Sequence, residues 1–181
     1  MMKKNPLLIT LVAATMAVLM IACSAPKKWD VPTTLGLKVG MKVEECKKAM
    51  DKLANSNPEK ASEVRFSAQD STYMCYIDAE KVFGRDFGEL SQNQDATEVS
   101  CIISGGKVEK VSIAFFSDEP AKTMNKMIGS LDSGYGQTVK SSVRQAADFR
   151  NYIKGDRVLS FSFFQGKTFI NYCDIKKFEE K

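Results

Sequence analysis

The stretch "VSCIISGGKVEKVSI", Val99 to Ile113, decides the architecture. Apolar residues alternate on both sides of a glycine pair: Val99, Cys101 and Ile103 before it, Val111 and Ile113 after it. A period of two marks a strand with one buried face, and "SGGK" between the runs is a hairpin signal. Burial sets the register. A three-residue loop, Gly105-Gly106-Lys107, places Cys101 opposite Val111 and Val99 opposite Ile113. A two-residue loop would set each apolar side chain against a polar one. The three-residue loop is therefore expected.

The same alternation extends in both directions. Tyr73, Cys75 and Ile77 share a face upstream, and Phe115 continues the strand after the hairpin. Downstream, "DFRNYIK", "RVLSFSFF" and "TFINYCDI" read as strands joined by turns at "KGD" and "QGK". Two segments break this period. Val43, Cys46, Met50 and Leu53 recur at helical spacing, predicting a helix over Val43–Ala54 that ends at the "NSNP" turn. Met124, Met127, Ile128 and Leu131 do the same over Glu119–Leu131, with Asp118 as N-cap and Pro120 in the first turn.

Each half therefore runs from a helix into strands, and the halves align. "TYMCYID" matches "DFRNYIK" at an offset of 76, and "IISGGKVEKVSI" matches "SFFQGKTFINYC" at an offset of 60. The expected class is α+β: two tandem helix-plus-antiparallel-strand repeats with helices packed on one face of the sheet. The first repeat is expected over residues 35–117, with an extended loop over 80–97, and the second over 118–181.

The amino terminus carries a different signal. Leu7 to Ala22 is a sixteen-residue apolar run preceded by Lys3 and Lys4 and closed by Cys23. A bilayer-crossing helix needs ~20 residues, so a positively flanked run of this length fits a processed signal, residues 1–22. Leu19-Met20-Ile21-Ala22-Cys23 resembles the lipobox of bacterial lipoprotein precursors. That resemblance implies cleavage before Cys23, acylation of its thiol and amine, and a body anchored to a membrane by its lipid. It also implies an outer-membrane location, periplasmic or surface side, because Ser24 rather than Asp follows the cysteine. Pro26 and Pro32 then mark residues 23–34 as the acylated cysteine and a short linker.

Composition narrows the function. From Cys23 to Lys181 the chain has 159 residues with 24 basic and 22 acidic side chains, no basic footprint for nucleic acid. Histidine is absent, which removes the commonest general base, metal ligand and partner of a nucleophile. "GKT" at Gly166–Thr168 lacks the phosphate-loop glycine five residues earlier, where Phe161 stands, and it joins two strands. "DFG" at Asp86–Gly88 has no other kinase element around it. No catalytic residue, metal ligand or cofactor is expected. Cys46, Cys75, Cys101 and Cys173 make an even number for an oxidising compartment, hence two disulfides of unassigned pairing; buried thiols packing as small hydrophobes are the alternative.

"LGLKVGMKVEECKKAM" is similar to the Gly-Met start of the SmpA/OmlA (BamE-like) outer-membrane assembly lipoproteins and of the tandem β-lactamase-inhibitor-protein fold. Gly40-Met41 fits the turn, and Lys42 departs from the usual Ser or Thr cap. The resemblance implies a helix lying across an antiparallel sheet and a module that binds other proteins. With Tyr73, Cys75, Ile77, Leu159, Phe161 and Phe163 turned to the helices, alternation sends Met74, Tyr76, Tyr152 and Phe164 to the open face. Phe116 and Tyr172 are further candidates for that face, and Phe83, Arg85 and Phe87 are candidate anchors in or beside the extended loop. The expected function is non-enzymatic binding of another envelope protein, for assembly, scaffolding or inhibition. The alternative is an apolar small molecule or lipid bound on the open face.

Overall fold

A computed structural model describes residues 28–84, 97–138 and 150–179. It is an α+β fold built on one antiparallel sheet of eight strands in the order β1-β2-β3-β4-β8-β7-β6-β5. The strands are β1 (Arg65–Ser67), β2 (Thr72–Ile77), β3 (Thr97–Ser104), β4 (Lys107–Phe116), β5 (Gly136–Thr138), β6 (Arg150–Lys154), β7 (Arg157–Phe164) and β8 (Lys167–Asp174). Helices α1 (Val43–Ala54), α2 (Ala79–Phe83), α3 (Pro120–Gly129) and α4 (Ile175–Glu179) complete the described elements, with short helical turns at Val31–Leu35 and Pro58–Lys60.

The central hairpin has the expected register by a different route. Cys101 pairs with Val111 and Val99 with Ile113, but Ser104 pairs with Lys107, so the turn is the two-residue Gly105-Gly106. A β-bulge makes up the difference: pairing steps from Ile102↔Lys110 to Ile103↔Val108, leaving Glu109 as the extra residue. Both glycines have positive φ, +55° and +74°, the conformation a primed two-residue turn requires. Burial dictates the register, and one bulged residue lets the tightest turn satisfy it. The β7–β8 turn repeats the geometry without a bulge, with Gln165 and Gly166 at φ +47° and +78°.

Helix α1 forms because Cys46, Met50, Leu53 and Ala54 line one side and all are buried against the sheet. Lys42 cannot cap as Ser would, and the Glu45 carboxylate instead accepts from the Lys42 backbone N–H at 3.4 Å. Helix α3 begins one residue later than expected, with Glu119 at its N-cap; the Ser117 hydroxyl accepts from the Glu119 N–H at 3.0 Å. Thr123, Met124 and Met127 are its buried side chains, with Leu131 just beyond its end. The core lies between these helices and the sheet face formed by Cys75, Val99, Cys101, Val111, Ile113, Phe115, Ile170, Tyr172, Leu159 and Phe161.

The segment expected to be a linker enters this core. Trp29, Val31, Leu35 and Leu37 are all buried. The Trp29 ring packs edge-on against Phe83 and Phe161, at 5.6 and 6.1 Å between centroids. Its indole N–H donates to the Met127 carbonyl at 2.8 Å, and its backbone bridges Leu131 in parallel. Any linker thus ends before Trp29. No helix among the described residues is long and apolar enough to cross a membrane; residues 1–27, including the apolar run and Cys23, lie outside them.

Candidate functional site

Helices α1 and α3 pack on one face of the sheet; the pairing pattern fixes which side chains occupy the other, where Asn151, Val158, Ser160 and Cys173 are themselves buried. Across the middle of that second face runs a polar row, Ser100–Ser112–Asn171–Ser160–Asn151, one residue from each of five neighbouring strands. The Ser112 hydroxyl donates to Asn171 Oδ1 at 2.8 Å. Met74 extends the row onto β2. The adjacent row is Tyr76–Glu98–Ala114–Phe169–Ser162.

Two residues further along the strands the face becomes aromatic and basic. Lys167 on β8 sits between Phe116 on β4 and Phe164 on β7, paired in register with both. Its ammonium lies 4.1 Å from the centre of the Phe116 ring, within cation–π range. Phe164 is 66% exposed, the most exposed large hydrophobic side chain among the described residues. Phe169 follows Lys167 by two residues on the same side of β8. A cation held over one ring and beside another offers a partner apolar area together with a fixed charge.

Of the residues expected on this face, Met74, Tyr76, Phe164 and Phe116 are there, half-buried or exposed. Tyr152 is not: it pairs with Leu159 and its ring meets Phe161 edge-on at 5.7 Å inside the core. Tyr172 also points to the helices, opposite Val111 and Leu159. Phe83 is no loop anchor, for it is buried at the end of α2 against Trp29 and Phe115. Arg85 and Phe87 lie outside the described residues. Lys167 was missed. Its signal was present, because a two-residue "QG" turn must set it directly opposite Phe164.

Titratable groups with shifted equilibria lie elsewhere, and each has a packing cause. Burial pushes the Tyr135 phenol up, helped by its 2.7 Å hydrogen bond to Asp30 Oδ1. Lys154 bridges Asp132 and Asp30 at 3.1 and 3.2 Å, and the bond to Asp132 raises it most. Asp132 is held below its usual range by the Gly134 backbone N–H, then by Lys154. These contacts tie the start of the described chain to β6. No group of histidine, cysteine or carboxylate side chains among the described residues has the geometry to hold a metal ion. Among the described residues, Cys46, Cys75, Cys101 and Cys173 are buried, and none is joined in a disulfide. Comparison with protein-family models, with curated proteins and with solved structures found no match to this chain.

Proposed function

We propose that the chain is a lipid-anchored envelope protein, acylated at Cys23, that acts without catalysis by binding another envelope protein through the exposed Phe164 end of the second sheet face. The observation that carries this is the Phe116–Lys167–Phe164 cluster, with Phe164 66% exposed at the end of that face. Rigid aromatic rings on a sheet give contact area at low entropic cost, and a neighbouring cation selects the partner. The charge of Lys167 beside the exposed Phe164 ring favours a protein, which can answer it with a carboxylate, over an apolar small molecule.

The tandem-repeat arrangement belongs to the same proposal. Strand order β1-β2-β3-β4-β8-β7-β6-β5 is what two four-stranded meanders meeting at β4 and β8 would give. The faces add a correction to the alignment. Tyr76 is exposed and Tyr152 is in the core, so the offset of 76 slips by one; the partner of Val99 is Cys75, and the partner of Leu159 is Tyr152. An offset of 60 suits β3 and β7, and the bulge at Glu109 shifts it by one for β4 and β8.

The experiment is site-specific photo-cross-linking from position 164 in the native envelope, beside fatty-acid labelling of the wild type and Cys23→Ala. A protein adduct at 164, lost when Lys167→Glu is added, supports the proposal. Adducts to lipid alone at 164, or an unlabelled wild type, would overturn binding or anchoring respectively.

A further inference from the structure

We propose that the outer face of α3 rests on the anionic headgroups of the bilayer that holds the acyl chains, so that the Phe164 end of the second sheet face looks into the aqueous phase. This orientation rests on acylation at Cys23. The described chain begins beside α3. The Trp29 backbone N–H donates to the Ser130 carbonyl at 3.0 Å, and the Asp132 N–H donates to the Trp29 carbonyl at 2.9 Å. The Trp29 indole N–H donates to the Met127 carbonyl, within the helix itself. Lys154 and Tyr135 hold the next residue, Asp30, at 3.2 and 2.7 Å. Trp29 is thus a fixed point, and five residue steps lead from Cys23 to Lys28. Five steps span at most ~18 Å. An acylated Cys23 therefore keeps the carboxyl end of α3 close to the lipid.

The charge on that surface suits anionic headgroups. Met124 and Met127 turn α3 to the sheet, which leaves Ala121, Asn125 and Gly129 exposed on its outer side. Lys122 and Lys126 stand beside this stripe, and Lys28 lies just before the Trp29 contact. From β6 the Arg150 guanidinium donates to the Asn125 amide oxygen at 2.9 Å, which brings its charge to the same surface. Against these cations stand Asp118 and Glu119 at the far end of the helix, with Glu119 bonded to Lys122 at 2.6 Å. Asp30 and Asp132 share Lys154. Acyl chains supply the affinity, so the cations need only bias which side of the body meets the lipid, and each one near an anionic surface contributes. Phe161 on β7 faces the helices, and Phe164, three residues on, leaves the sheet on the opposite side. A body lying on α3 carries Phe116, Lys167 and Phe164 away from the membrane. The partner that fits this placement is a soluble protein or a protruding domain, reached from the aqueous side.

The test uses the acylated chain, extracted from its own membrane and returned to vesicles of phosphatidylcholine, alone or mixed with phosphatidylglycerol. A photo-reactive residue is placed at position 121 or, separately, at 164. Flotation with phosphatidylcholine vesicles reads the anchor, and lipid adducts read the face. In mixed vesicles the expected result is lipid adducts at 121 and none at 164. The yield at 121 should fall several-fold in phosphatidylcholine alone, in ~0.5 M salt, or with Lys122→Glu/Lys126→Glu. Lys47→Glu/Lys48→Glu on α1 should leave it unchanged. Equal lipid adducts at the two positions, adducts at 121 indifferent to charge, or adducts at 121 to a second copy of the chain would overturn the orientation while leaving the anchor intact. A chain that does not float would overturn both.

Discussion

Replacing Trp29 by Ala tests whether the amino-terminal segment belongs to the core. Its side chain is 2% exposed and meets Phe83, Phe161 and the Met127 carbonyl. A buried tryptophan removes ~200 Å² from water, worth ~5 kcal/mol at ~25 cal/mol per Å². Truncations of this kind cost ~3–5 kcal/mol, so the expected loss is ~4 kcal/mol. With a urea slope of ~2 kcal/mol per molar, the unfolding midpoint should fall by ~2 M. Trp29→Phe keeps an aromatic ring and loses the indole N–H bond, so about half that loss is expected. Far-UV circular dichroism is the appropriate signal, because Trp29 is the chain's only tryptophan. A Trp29→Ala midpoint within ~0.3 M of wild type would show that residues 29–35 are a dispensable tether. The core described above would then be wrong.

Two further outcomes follow from backbone and charge. Burial holds the Cys75 thiol up to about 12, against 9.0 for an unstrained thiol, and Cys101 moves in the same direction. The native chain therefore keeps protons that the unfolded chain gives up, and the stabilisation is complete below about pH 9 and lost as pH rises towards 12. Urea midpoints under reductant should drop between about pH 7 and about pH 10.5, and Cys75→Ala should flatten the drop; a pH-independent midpoint would contradict the burial described. At the β7–β8 turn, Gln165 holds φ +47°, which costs a residue with a Cβ ~1–2 kcal/mol. Gln165→Gly should raise stability by ~0.5 kcal/mol after the added freedom of the unfolded chain is subtracted, whereas Gly106→Ala, at φ +74°, should lower it by ~1 kcal/mol. A thermal midpoint lowered by Gln165→Gly, or raised by Gly106→Ala, would contradict this assignment of the turns.

Legibility in the sequence tracked how one-sided each element's burial is. Strands β3 and β4 have one buried face along most of their length, so alternation gave their pairing, and only the turn length was misjudged. Strand β6 is different. Asn151 and Tyr152 are adjacent and both are buried, so the period of two is erased and a one-residue slip sends Tyr152 to the wrong face. Proline and polar residues around Trp29 looked like a linker because the segment is irregular, with no period to reveal that its apolar residues are inside. On the candidate face, Phe164 was legible from alternation alone. The place of Lys167 depended on the turn, which no run of apolar residues encodes.

The Trp29–Leu131 bridge has a consequence for the order of assembly. The two residues are about a hundred positions apart, and the Trp29 ring also needs Phe161 from the penultimate strand. A ribosome delivers Trp29 early, its partners Phe83, Met127 and Leu131 later, and Phe161 later still. The packing around Trp29 is therefore completed only when β7 has been made, so the first described residues are locked in place by some of the last.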